Sequence, residues 1–161
     1  VEGLAHGMPH RVRGTAVFMT ADADSVPHAL LHNLKHNQVL HERVVVLAVH
    51  TRPVPRVPAD GRLQARELGH GVWCVTASHG FMERPDVPET LRLLAYQKGL
   101  HIESMSTSYF TSRASLGAGR LAGLGPLRKA VFGSLQRNAA RASDYFQLPD
   151  NRLIEIGRRA L

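Results

Sequence analysis

Three histidines, His28, His32 and His36, recur at every fourth residue within Pro27 to Thr51 (PHALLHNLKHNQVLHERVVVLAVHT). On a helix this spacing stacks them one turn apart on a single face, where neutral imidazoles can reach a common ion, and zinc is the metal such a row would take. A helical metal site normally recruits a further carboxylate or histidine from another element and orients each ring through a second acceptor. The nearby His41-Glu42-Arg43-Val44-Val45 is not a zincin signature, because Val45 stands where the second histidine belongs. A solvated polar helix face is the simpler reading of the row, and no cofactor is expected.

Charge supplies the second candidate. From Ser104 to Ser143 there is no acidic residue, yet the stretch carries Arg113, Arg120, Arg128, Lys129, Arg137 and Arg141. Such an element can rest on anionic headgroups or an acidic protein, or it can simply be solvated. Arginines beside a helix start at Pro126 could also pair with the phosphates of a nucleotide. Gly117, Gly119, Gly123 and Gly125 match neither a Walker loop nor a dinucleotide fingerprint, however. Nucleic acid is not an expected partner, since no binding motif or aromatic platform accompanies the charge.

Catalysis finds no support. Ser78-His79 are adjacent, but neighbours on a strand point to opposite faces, and no serine sits in a nucleophile elbow. Asp22 with Asp24, and Glu83 with Asp86, fall in turns where capping is the simpler role. The chain is therefore read as a non-enzyme.

The elements that must position these residues follow from periodicity. The 161 residues, 43% hydrophobic and 20% charged with a net charge of +7, suit one globular domain. The lone Cys74, in the apolar run Val72 to Val75, excludes an internal disulfide and reads as a core residue. No apolar run is long enough to span a bilayer. Residues 1–10, with Gly3, Gly7 and Pro9, read as a linker or expression remnant, and 11–161 as one domain of something longer.

Thr15 to Thr20 predicts a first strand. Asp24 or Ser25 followed by Pro27 predicts a capped helix with Leu30, Leu31 and Leu34 inside and the three histidines outside. Val44 to Val49, continuously apolar, predicts a strand covered on both faces and parallel to the first. After a proline-rich loop (Arg52 to Gly61), Arg62 to Leu68 and Val72 to Ser78 form a hairpin about Gly69-His70-Gly71. Asp86 opens a helix with Leu91, Leu94 and Ala95 inside, closing at Gly99. Ser106 to Ser112 is a strand, Leu116 to Gly125 a connection, and Pro126 to Leu148 a long helix striped by Leu127, Val131, Leu135, Ala139, Ala142 and Phe146. Asn151 to Ile156 closes the sheet. The expected fold is α/β (α+β): a mixed sheet with a βαβ start, a central hairpin and about three packing helices, with a ferredoxin-like βαββαβ core as a variant.

Ordered blocks across nearly the whole chain carry a resemblance. They are Arg11 to Met19 (RVRGTAVFM), His28 to Leu47 (HALLHNLKHNQVLHERVVVL), Gly80 to Pro88 (GFMERPDVP), Thr107 to Arg113 (TSYFTSR), and Asn138 to Gly157 ending in LPDNRLIEIG. In these the sequence resembles the C-terminal cytoplasmic domain of bacterial KUP-type potassium uptake permeases. It departs from that pattern at Arg13, Ala114 and the tail Arg158-Arg159. The resemblance implies a parent that imports potassium with protons across the inner membrane, and a domain on its cytoplasmic face with a regulatory or assembly role. The implied partner is the transmembrane part of the same transporter, and a homodimer and an anionic lipid surface are compatible with it. The ion-pathway residues lie outside this stretch. A nucleotide or metal sensor is the alternative.

Overall fold

The computed structural model describes residues 9–115 and 142–159. Its first unit is strand β1 (His10–Thr20), helix α1 (His28–Asn37) and strand β2 (Val39–Arg52), with β1 and β2 parallel and Val17 beside Val45. Both strands outrun their apolar centres: β1 begins five residues before Thr15, and β2 extends at both ends beyond Val44 to Val49. Polar ends are tolerated because a parallel ladder is made by the backbone, while burial of Val44 to Ala48 on both faces anchors the middle.

Strands β3 (Leu63–Gly69) and β4 (Val72–Gly80) form the expected hairpin, and β4 returns parallel to β2. Helix α2 (Val87–Lys98) crosses to β5 (Thr107–Ser115), and a short helix α3 (Ala142–Phe146) precedes β6 (Leu153–Arg159). The sheet order is β3-β4-β2-β1-β5-β6, and only the β3–β4 pair is antiparallel. A βαββαβ split core would alternate strand directions, so that variant does not describe the sheet. Without β3, the parallel strands follow a doubly wound order: the chain starts in the middle, winds to one side, then returns past β1 to the other.

Pleating divides the core between two faces. Ala16, Phe18, Val44 and Phe110 face α1, with Phe18 and Phe110 stacked across the β1–β5 seam at 4.6 Å. Val17, Leu47, Val75 and Tyr109 face α2, where Leu91 and Leu94 meet them, and Leu148 closes the same layer. Each fully buried leucine or valine here contributes roughly 1.5–3 kcal/mol.

Two helix expectations fail locally. Pro27 occupies the N-cap of α1, with no side-chain cap bond, so neither Asp24 nor Ser25 caps it. Both are held in the preceding turn instead, Asp24 N–H by the Asp22 carboxylate and the Ser25 hydroxyl by the Asp22 carbonyl. Leu31 is 52% exposed, because Asn33 takes an inward position with Ala29. The Asn33 amide donates to Val39 O at 3.1 Å and accepts from Asn37 at 2.7 Å, which closes the α1–β2 turn through left-handed Gln38.

Candidate functional site

His28, His32 and His36 are exposed along α1, as their spacing predicts. The His32 and His36 rings lie 4.3 Å apart and those of His28 and His32 6.2 Å apart. Among the described residues no cluster of three His, Cys, Asp or Glu side chains converges as metal ligands. Of the six basic candidates, Arg113 sits on β5 with its backbone beside Gly157 of β6. Arg120, Arg128, Lys129, Arg137 and Arg141 lie outside the described residues, as do Leu116 to Gly125 and most of the helix expected from Pro126; only Ala142–Phe146 of it is described, as α3.

The strand order marks a place for ligands. In an open, mostly parallel sheet they bind beyond the carboxyl ends of the strands where the winding reverses, and here the reversal falls between β1 and β5. The turn after β1 carries Asp22 and Asp24 away from that reversal, over β2 and β4, and Asp24 pairs with Arg66 of β3 at 2.8 Å. Both partners are largely exposed, so the pair contributes little to stability.

Farther along the carboxyl edge, two loops are fastened together. After β2, residues 53–58 run against the turn that follows β4: Phe81 N–H donates to Val54 O at 2.9 Å and Met82 N–H to Pro55 O at 3.2 Å. Glu83 is the latch. Its carboxylate accepts from Gly80 N–H at 2.7 Å and from Val57 N–H at 3.0 Å, and it pairs with Arg62. Those backbone donors, with Arg62 adding to them, hold the Glu83 carboxyl below its ordinary range. Gly80 is required because any Cβ there would stand 2.2 Å from Pro55 O. The capping role expected of Asp86 is realised on α2, where its carboxylate accepts from Glu89 N–H at 2.8 Å.

An apolar groove of about 370 Å³ opens between α1 and the sheet, bordered by Leu30, Leu31, Leu34, Val44, Val72 and Cys74. Cys74 is buried as expected, and burial raises the pKa of its thiol. His79 is buried beside Thr51, with Nε2 and Oγ1 3.1 Å apart, and burial lowers its pKa. The latch and the groove were not anticipated from the sequence. Exposed Phe81 and Met82 beside a glycine were the available signal for the first, and Leu31 on the rim of a histidine row was the signal for the second.

Comparison with known proteins settles the family. The model described as the K+ potassium transporter C-terminal domain matches residues 13–160. The chain belongs to this family. Among its relatives, the probable potassium transport system protein Kup of Cupriavidus pinatubonensis is 46% identical over 159 residues, covering 99% of this chain and 25% of the relative. Kup of Xanthomonas campestris pv. campestris is 48% identical over 155 residues, 96% of this chain and 24% of that protein. Kup 2 of Cupriavidus necator is 49% identical over 159 residues, 98% and 25% respectively. The chain thus spans about a quarter of the length of these curated relatives. No solved structure matches. Within this potassium transporter C-terminal domain, Arg11 to Met19 forms most of β1, His28 to Leu47 makes α1 and most of β2, and Gly80 to Pro88 is the latch turn leading into α2. No helix among the described residues is long and apolar enough to cross a membrane.

Proposed function

We propose that this chain is a cytoplasmic regulatory or assembly domain of a potassium:proton symporter that imports potassium across the bacterial inner membrane. The family match carries this reading, because it covers residues 13–160 and because the relatives are named as potassium transport proteins. The domain acts on the transmembrane part of the same transporter and has no turnover of its own. Its basic stretch from Arg113 to Arg141 fits that setting: cytoplasmic segments beside membrane helices are biased towards positive charge, and anionic lipid attracts them. A homodimer is compatible with the same role.

The test is deletion of these residues from the full-length transporter in cells that depend on it for potassium. Altered uptake, altered control of uptake or impaired assembly is expected. Unchanged values for all three would sink the proposal.

A small-ligand sensor is the second reading, and the reversal of winding between β1 and β5 favours it. It predicts that a nucleotide or zinc raises the melting temperature by mass action. Substituting Arg128 and Lys129 should remove a nucleotide shift, and substituting His32 a zinc shift. The absence of any shift at saturating ligand defeats this reading.

A further inference from the structure

Three apolar side chains stand exposed to water at the carboxyl edge where the two loops are latched. Val54 is 41%, Phe81 61% and Met82 70% exposed, and backbone hydrogen bonds hold the strands of chain that carry them side by side. Apolar groups this large at a loop apex usually turn inwards, whereas these stay exposed on a backbone that is fastened from both loops. Glu83 accepts from one amide of each loop, Gly80 N–H and Val57 N–H, and the absence of a Cβ on Gly80 lets Pro55 O close against it. The apex is therefore built to present Phe81 and Met82 rather than left exposed by slack chain.

The rim of this apex is cationic. Arg52, Arg56 and Arg84 are exposed around it, with Arg52 Nε donating to Ser78 Oγ at 3.4 Å. Within 51–57 and 79–85 the only acid is Glu83, and its charge is already met by Arg62 and two amides. A partner must therefore combine negative charge at its surface with an apolar layer immediately beneath. An anionic phospholipid bilayer has that profile: arginines pair with headgroup phosphates while short apolar side chains reach the acyl boundary. The cytoplasmic loops of a transporter body do not, because the same topology bias that applies to this chain makes them basic and repels a cationic rim.

We infer that the Val54, Phe81 and Met82 apex, rimmed by Arg52, Arg56 and Arg84, is a docking surface for anionic lipid. This rests on the reading above that the chain works beside a membrane, and it assigns the contact to a latched apolar apex rather than to the basic stretch alone. It also fixes an orientation, with the carboxyl ends of β2 and β4 turned towards the headgroups and His10 at the opposite end of the sheet.

The experiment is co-sedimentation of the 161-residue chain with phosphatidylcholine vesicles with and without phosphatidylglycerol. Binding is expected only to the anionic vesicles. Replacing Phe81 and Met82 with serine should lower the partition coefficient at least about tenfold through lost apolar burial, and replacing the three arginines with serine should do the same, since each basic residue near an anionic surface is worth on the order of a severalfold change. These side chains are exposed, so the melting temperature should hold. As an independent readout, the Phe81→Trp variant should shift its emission to the blue when anionic vesicles are added, over the constant background of buried Trp73. If the serine variants sediment like the unsubstituted chain, the basic stretch alone binds lipid and the inference is overturned. Absence of binding to anionic vesicles, or an unshifted emission from the Phe81→Trp variant, overturns it as well. None of these readouts involves uptake, so failure here leaves the transport reading standing, and failure of the deletion test leaves the lipid contact standing.

Discussion

Burial shifts the titration of His41 and His79, and neither belongs to the row that the spacing picks out. His41 packs edge-on against Phe110 at 6.2 Å, its Nδ1 has no hydrogen-bond partner among the described residues, and burial lowers its pKa. Burial likewise lowers His79, opposed in part by the Glu83 carboxylate. A histidine whose folded pKa lies below its unfolded value binds fewer protons when folded. Its contribution to stability is therefore complete above the unfolded pKa of about 6.5 and is lost as pH falls below that value. The urea midpoint should hold steady from pH 8 to about 7 and decline from about 6.5 towards 5. His41→Gln and His79→Gln should each flatten part of the decline; equal slopes in all three proteins would refute the assignment. Glu83, whose pKa is lowered, contributes in a separate window, losing its share only as pH falls through the acid range below 4.5. Residue types and spacing thus made the exposed His28, His32 and His36 legible and left these two unread, because what distinguishes them is burial by strands distant in sequence.

At the scale of elements, both ends of α2, its inward face and the strand centres were legible, whereas the cap and inward face of α1 and the strand ends were not. Asp86 caps α2 and left-handed Gly99 ends it, both as local rules require. The first helix misleads because Asn33, a polar residue, earns an inward place by bonding the β2 backbone, and no periodicity of apolar residues encodes that. The contrast between the two acidic turns is measurable. Asp86→Ala removes the acceptor of Glu89 N–H and should destabilise the chain by about 1 kcal/mol. Asp24→Ala removes only an exposed pair with Arg66, for which about 0–1 kcal/mol is the usual range, and should fall near the bottom of it. Chemical denaturation of both variants checks this, and a larger loss at Asp24 would mean that its turn bears on α1 more than its hydrogen bonds indicate.

For the whole molecule, the consequence lies in strand order, which local sequence does not specify. Each strand of the sheet is foreshadowed by its own strand-like run, but which strands become neighbours depends on crossovers whose length leaves several windings open. The observed order puts β1, the first strand made, at the centre, so one of its two neighbours is formed last but one. Until β5 arrives, Val17 lacks Tyr109 on one face and Phe18 lacks Phe110 on the other, and both rows of β1 stand at an open edge. A chain ending at Glu103 should therefore show no cooperative thermal transition and should bind a hydrophobic dye, although it retains β1 to β4, α1 and α2. One ending at Leu148 loses β6 and the turn before it but keeps the β1–β5 seam and Leu148 in the α2 layer, so it should unfold cooperatively at a lower midpoint. If the shorter chain unfolded as sharply as the complete one, the β1–β5 seam would not be where the two halves of the sheet are joined energetically. The binding apex would then belong to an autonomous half-sheet, since the latch between residues 53–58 and Glu83 is complete before β5 begins.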